Sequence, residues 1–439
     1  MKSNSIWLTG SIRLWIILAL FLCVNIFYHF TSMDKIFFNL SDNGDEFYQN
    51  HVYDIGYFDL AVMSSSRSQP FLFVSSLIDS LLDNPRFSTR LVSLISGLFV
   101  IVYFVKVIVR RSRNTNLILA ICGLSIFVSS VVITNQIFIG TPDFLASTLL
   151  VFGIYLIIEK SNSLCHKLSI KWILIVGFLF GLSVATRPTM ILVLFCLVLS
   201  IILFLGINQI VIKNVSSILL GVIVTLTIIN LAPILTENKI ILDVKSIPQE
   251  FGVTWFDRNY LMAKMWDEGT LSNKIWLSTQ DVIDFRKNNP HIDYPSNQVE
   301  FMINDTSLFL RQMFRMFTMG IYSSIRYLYF VLPIVCLSVL LSKRLTAYGI
   351  IEENPGRLRH ERTLKILFLT FIMSLLCFSF LAVKLLEFRW LIPIFIVLSI
   401  YSINYLRFFS ERFQRLLFEL SFLLSIILYA RFFFINGIA

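Results

Sequence analysis

The chain lacks a cysteine framework. Its six cysteines, Cys23, Cys122, Cys165, Cys196, Cys336 and Cys377, are scattered, five in apolar stretches and Cys165 in a short basic loop. That spacing points to neither a disulfide scaffold nor a zinc site. The histidines, His51 and His291 among them, combine with the acids in no zinc or EF-hand pattern. No nucleotide-binding motif is evident. The first apolar stretch follows Lys2 and Arg13 but has no small-residue cleavage signal, so it is expected to stay as a helix. Charge is also scarce: 15% of the 439 residues are charged against 56% hydrophobic, with a mean hydropathy of +0.77. Such a composition cannot be enclosed in one water-soluble core, which makes the bilayer the expected solvent.

What is present is a succession of apolar runs. A helix needs roughly 20 apolar residues to cross a bilayer. Eleven candidate spans are expected, at about 12–29, 91–109, 116–134, 143–158, 172–186, 188–206, 215–234, 323–342, 364–383, 391–407 and 416–434. The predicted fold class is therefore an all-α polytopic membrane protein. Thr186-Arg187-Pro188 interrupts one long apolar run, and it reads as a tight turn between two spans, because an arginine left in hydrocarbon is costly.

Basic clusters recur on alternate loops, at Arg110-Arg111-Arg113, Lys160/Lys167/Lys171, Lys343-Arg344, Arg357/Arg359/Arg362 and Arg407/Arg412/Arg415. By the positive-inside rule these loops and the amino terminus are cytoplasmic. The formal net charge of +10 is thereby accounted for by topology, without any nucleic-acid partner. Three parts are expected. Residues 1–235 form an amino-terminal membrane module whose first outer loop, 30–90, carries amphipathic helices. Residues 236–322 form a small extracytoplasmic cap, and residues 323–439 supply the remaining helices.

Charges on the outer side are few, which makes each informative. Asp45 and Glu46 follow the first span in SDNGDEFYQ. A solvated turn explains them in isolation, but a carboxylate pair at the lip of a bilayer also suits metal binding or proton transfer. Asp143 follows Gly140-Thr141-Pro142, where a helix cap is the bland reading. Arg187 could anchor a helix end among headgroups, or grip a lipid-linked phosphate with two hydrogen bonds. Lys384, Glu387 and Arg389, in VKLLEFRWLIP, could form a surface ion pair or a substrate contact. Opposite charges from distant loops on one membrane face suggest a site for an anionic substrate.

The order of these features resembles the GT-C glycosyltransferases, multi-spanning enzymes that include aminoarabinose transferases and protein O-mannosyltransferases. Asp45-Glu46 looks like the family's acidic motif after the first helix. SQPFLF at 68–73 and NPRFSTRLVSLISGLF at 84–99 are similar to its Pro-Pro-Leu turn and Ala-Arg-Leu-Pro-Ser segment. Thr141-Pro142-Asp143 resembles its Thr-x-Asp motif, and GFLFGLSVATRPT at 177–189 its Gly-rich helix with a basic end. EFRWLIP at 387–393 resembles Arg-Tyr-Leu-x-Pro. Two departures stand out: Arg67-Ser68-Gln69-Pro70 replaces a Lys-Pro-Pro turn, and Trp390 replaces the tyrosine.

The resemblance implies transfer of a sugar from a polyprenyl-phosphate donor to a glycan or lipid acceptor on the extracytoplasmic face, in a bacterial inner membrane. It implies Asp45 as general base, with Glu46 and Asp143 as further catalytic residues, and Asp45 with Asp143 as candidate ligands of a divalent cation. Arg67, Arg187, Lys384, Glu387 and Arg389 are the implied substrate contacts. Two other readings fit a multi-spanning chain: a polysaccharide polymerase or ligase of the O-antigen type, and a flippase or carrier without chemistry.

Overall fold

The computed structural model describes residues 48–50, 52, 68–111, 140–160, 169–231, 234–235, 254–271, 277–289, 294–328, 331–351, 355–382, 388–410, 412–413 and 416. The expected spans at 12–29 and 116–134 and almost all of 416–434 lie outside these residues. Thirteen helices are assigned among those described. They are α1 Gln69–Leu82, α2 Pro85–Arg111, α3 Asp143–Lys160, α4 Ile170–Thr186, α5 Met190–Leu205, α6 Gln209–Ile229, α7 Trp255–Asp267, α8 Thr279–Asn288, α9 Gln298–Asn304, α10 Thr306–Leu328, α11 Val331–Ala347, α12 Pro355–Leu381 and α13 Ile392–Leu406. A 3₁₀ turn, Phe388–Trp390, precedes α13. Among the described residues β pairing is confined to one isolated antiparallel bridge, Ile351 with Phe409.

Several helices match the expected spans closely, because sequence punctuation sets their ends. Arg187 caps α4 in an extended conformation, as the residue before a proline tends to do, and α5 starts three residues later. Asn208 opens α6 by accepting the Val211 amide at 2.9 Å. The span expected at 364–383 lies within a helix that starts at Pro355, whose charged first turns continue the apolar part without a break. The span expected at 323–342 falls on α10 and α11, with 329–330 outside the described residues.

Length and composition mark two of the described helices, Gln209–Ile229 and Gly356–Leu381, as able to cross a membrane. The helices α4 and α5 are equally apolar, but 17 and 16 residues long. At 1.5 Å per residue they reach only about 25 Å. The count of eleven spans therefore does not follow from the described residues. On α6 the side chains Leu220, Ile223, Val224 and Ile228 are exposed, which suits a helix with a lipid-facing flank.

One hydrophobic core joins α2 to α6 with α11, α12 and α13. Within it α4 and α6 approach each other closely. A Cβ added to Gly177 would sit 2.8 Å from the Cα of Gly221, and one added to Gly181 would sit 2.5 Å from the Thr225 Cβ. Small residues at a spacing of four on both helices, Gly177/Gly181 and Gly221/Thr225, let the two backbones meet, as in membrane helix pairs generally. Elsewhere α5 lies on α12, where Cys196 and Cys377 place their sulfurs 3.7 Å apart.

The far ends of α11 and α12 are fastened by charge. Glu361 accepts from Ser342 at 2.7 Å and pairs with Lys365 at 2.5 Å. Arg357 donates to Thr346, and Arg359 donates to the Ile158 carbonyl at 3.2 Å, which ties α12 to the end of α3. The helices α7, α8 and α9 form smaller clusters of their own, in which Tyr260, Phe301 and Phe309 meet edge to face.

Two outcomes follow. Gly177→Val should push α4 and α6 apart and cost about 1–3 kcal/mol, read as a lower thermal midpoint in detergent, whereas Gly206→Ala, with open space around it but a positive φ, should cost less than Gly177→Val. A membrane-permeant oxidant should cross-link Cys196 to Cys377, detected by mobility on a non-reducing gel and abolished by Cys196→Ser.

Candidate functional site

The site begins with the amino terminus of α3. Pro142 supplies the first carbonyl of that helix, which the Ala146 amide donates to at 3.0 Å. Asp143 is thus the first helical residue rather than the cap, and its carboxylate is turned to partners outside the helix. The expectation of a simple helix cap gives way here to a different geometry. A negative charge at this end is also favoured by the helix dipole.

Hydroxyl groups fix α3 against its neighbours. From α2, Ser93 donates to the Thr141 carbonyl at 3.0 Å, and Thr148 of α3 donates to the Ser96 carbonyl at 3.2 Å. From α4, Ser183 donates to the Ala146 carbonyl at 2.7 Å. The Gly140 backbone lies against Thr89 and Arg90 so closely that an added Cβ would meet the Thr89 hydroxyl at 2.5 Å. These small polar residues fell outside the expected site. Their signal was the run Ser88, Thr89, Ser93 and Ser96 along one face of α2, all buried.

Two arginines converge on Asp143. Arg187 closes α4 with its amide, which donates to the Ser183 carbonyl at 2.9 Å, and opens α5 with its carbonyl, which accepts from Met190 at 3.0 Å. Its Nε forms an ion pair with Asp143 Oδ1 at 3.0 Å. Arg389, in the 3₁₀ turn before α13, places Nη1 3.3 Å from Asp143 Oδ2. The carboxylate side chain is 1% exposed, whereas the arginines are 15% and 30% exposed. Two guanidiniums thus share one carboxylate, and the arginines are the members nearer solvent. An isolated buried carboxylate would be strongly unfavourable. Here it is paired on both oxygens.

The packing of α13 on both α3 and α12 brings Arg389 to this point. The adjacent Trp390 ring lies 5.2 Å from Phe378 of α12, which holds the turn in place. Of the sequence-expected site residues, the structure thus unites Asp143, Arg187 and Arg389. Asp45, Glu46, Arg67, Lys384 and Glu387 lie outside the described residues. Beside Arg67, Ser68 is buried and has a left-handed backbone at φ 62°, ψ 35°, a conformation unfavourable for a residue with a side chain.

A short stretch after the acidic pair is anchored close to this cluster. Tyr48 and Val52 pack with Phe71 and Leu72 of α1 and Val92 of α2, and Leu145, two residues beyond Asp143, packs against the same group. Tyr48 meets Phe71 edge to face at 5.6 Å. For a metal, the donor set around Asp143 is a poor fit, since a guanidinium faces each oxygen and would repel a cation. Among the described residues no group of three or more His, Cys, Asp or Glu side chains is placed to hold one.

No curated protein and no solved structure matches the chain. Residues 69–235, from α1 through α6, match a family model described as dolichyl-phosphate-mannose-protein mannosyltransferase. The matched segment contains Asp143 and Arg187, while Arg389 joins them from outside it. Over those residues the chain is similar to that family.

Proposed function

We propose that the chain transfers a sugar from a polyprenyl-phosphate donor to a glycan or lipid acceptor at the extracytoplasmic face of a membrane. The observation that carries this reading is the convergence of Arg187 and Arg389 on the buried Asp143. Both arginines are fixed in direction by Asp143 before any ligand arrives. Preorganised guanidiniums stabilise charge that develops on a leaving group, and they match phosphate geometry with paired hydrogen bonds.

In the proposed reaction the acceptor hydroxyl oxygen forms a bond to the anomeric carbon while the bond from that carbon to the phosphate oxygen breaks. The hydroxyl proton passes to Asp45, and the polyprenyl phosphate departs with the electron pair toward Arg187 and Arg389. Support for Asp45 comes from chain length. Three residues reach at most about 11 Å, and Tyr48, three positions later, is packed in the cluster that contacts the first turn of α3. Glu46 would assist in orienting the base. Arg67, Lys384 and Glu387 are proposed as further donor contacts, with the strained Ser68 fixing the approach of Arg67.

Asp143 takes a positioning role in this scheme. With both oxygens facing guanidiniums it holds the arginines apart and aligned, and the proposed chemistry routes no step through a cation.

Purified Asp45→Asn should lose turnover by roughly 10²–10⁴-fold while retaining donor binding; unchanged turnover overturns the assignment. With labelled polyprenyl-phosphate sugar, single transfer separates this reading from polymer growth by a polymerase or ligase, and from translocation by a flippase. Arg389→Ala should weaken donor binding about 10- to 100-fold, the worth of a hydrogen bond to a charged group, yet leave the fold intact because Asp143 keeps Arg187. Removing both arginines should destabilise the protein by about 3–5 kcal/mol, far more than either alone, as measured by thermal unfolding.

A further inference from the structure

The two turns whose arginines meet on Asp143 each carry a second polar group with nothing to bind. In the turn 388–390, the Trp390 indole nitrogen is buried and has no hydrogen-bond partner. In the turn 187–189, the Thr189 hydroxyl is likewise buried and without a partner. Thr189 occupies the position that usually caps a helix, here α5, yet its side chain makes no cap bond. Buried polar groups in native proteins are nearly always paired, and leaving one unpaired is unfavourable. Two such groups, one next to Arg389 in the chain and one two positions after Arg187, call for a common explanation.

We propose that Trp390 and Thr189 complete the site by donating to the phosphate of the lipid carrier, alongside Arg187 and Arg389. This rests on the reading of that cluster as a lipid-phosphate site, and it identifies the ligand atoms by their chemistry. An indole N–H and two guanidiniums can only donate. Three of the four groups, the indole and the two guanidiniums, therefore call for an acceptor. A phosphate brings acceptors alone. The Trp390 ring is held against Phe378 at 5.2 Å, so the N–H direction is set by packing before the ligand arrives.

The test compares binding of a short isoprenyl monophosphate with that of the corresponding isoprenyl alcohol to the purified full-length protein in detergent. The wild type should prefer the phosphate. Trp390→Phe keeps the ring on Phe378 but removes the N–H, and should reduce that preference about tenfold or more. Thr189→Val should do the same, while Thr189→Ser restores it; alcohol binding should stay unchanged in all three. A wild type without preference for the phosphate overturns both the reading of the arginine cluster and this inference. A wild-type preference retained in full by both Trp390→Phe and Thr189→Val overturns this inference alone. If Trp390→Phe fails to fold, the Thr189→Val and Thr189→Ser pair still decides the matter.

Discussion

A carboxylate taken out of water must be compensated, and most of the site's arrangement follows from how Asp143 meets that requirement. Its side chain is 1% exposed, so its charge cannot be left to solvent. Two guanidiniums answer it, from turns that have no reason of their own to meet. The positions of α4 and α13 relative to α3 are thereby tied to one electrostatic condition, with packing and hydroxyl bonds enforcing the same arrangement. A single arginine would leave one carboxylate oxygen without a guanidinium, and the second one joins a turn distant in sequence to the same group.

The helix pairs supply the precision that charge alone lacks. Ion pairs tolerate displacement, since their energy falls slowly with distance. Close backbone contact does not. The meeting of Gly177 with Gly221 fixes α4 against α6, and the Ser183 bond to the Ala146 carbonyl fixes α4 against α3. Arg187 stands at the end of a helix held on two sides, which is why a flexible side chain can have a defined place.

Much of this was legible in the sequence because it depends on local chemistry. The turn at Thr186-Arg187-Pro188, the start of α3 after Gly140-Thr141-Pro142 and the start of α13 after Arg389 are all set by residues adjacent in the chain. The grouping of Asp143, Arg187 and Arg389 on one face could be suspected from topology. Their direct pairing could not, since it depends on how α13 packs on α3 across 246 residues of sequence. The orphaned Trp390 N–H and Thr189 hydroxyl were invisible for the same reason, because a missing partner is a property of three-dimensional surroundings. The charged start of α12 was hidden too. Apolar composition reports suitability for hydrocarbon, and it is blind to how far a helix continues beyond the apolar part.

The separation of the two arginines has a consequence for synthesis. When the ribosome has made the chain through α6, Asp143 and Arg187 are both present, but the turn that carries Arg389 is still to come. The second oxygen of the carboxylate meets its guanidinium only once that turn has been made. A nascent chain must therefore keep Asp143 half-paired, or leave α3 undocked, until α13 can pack.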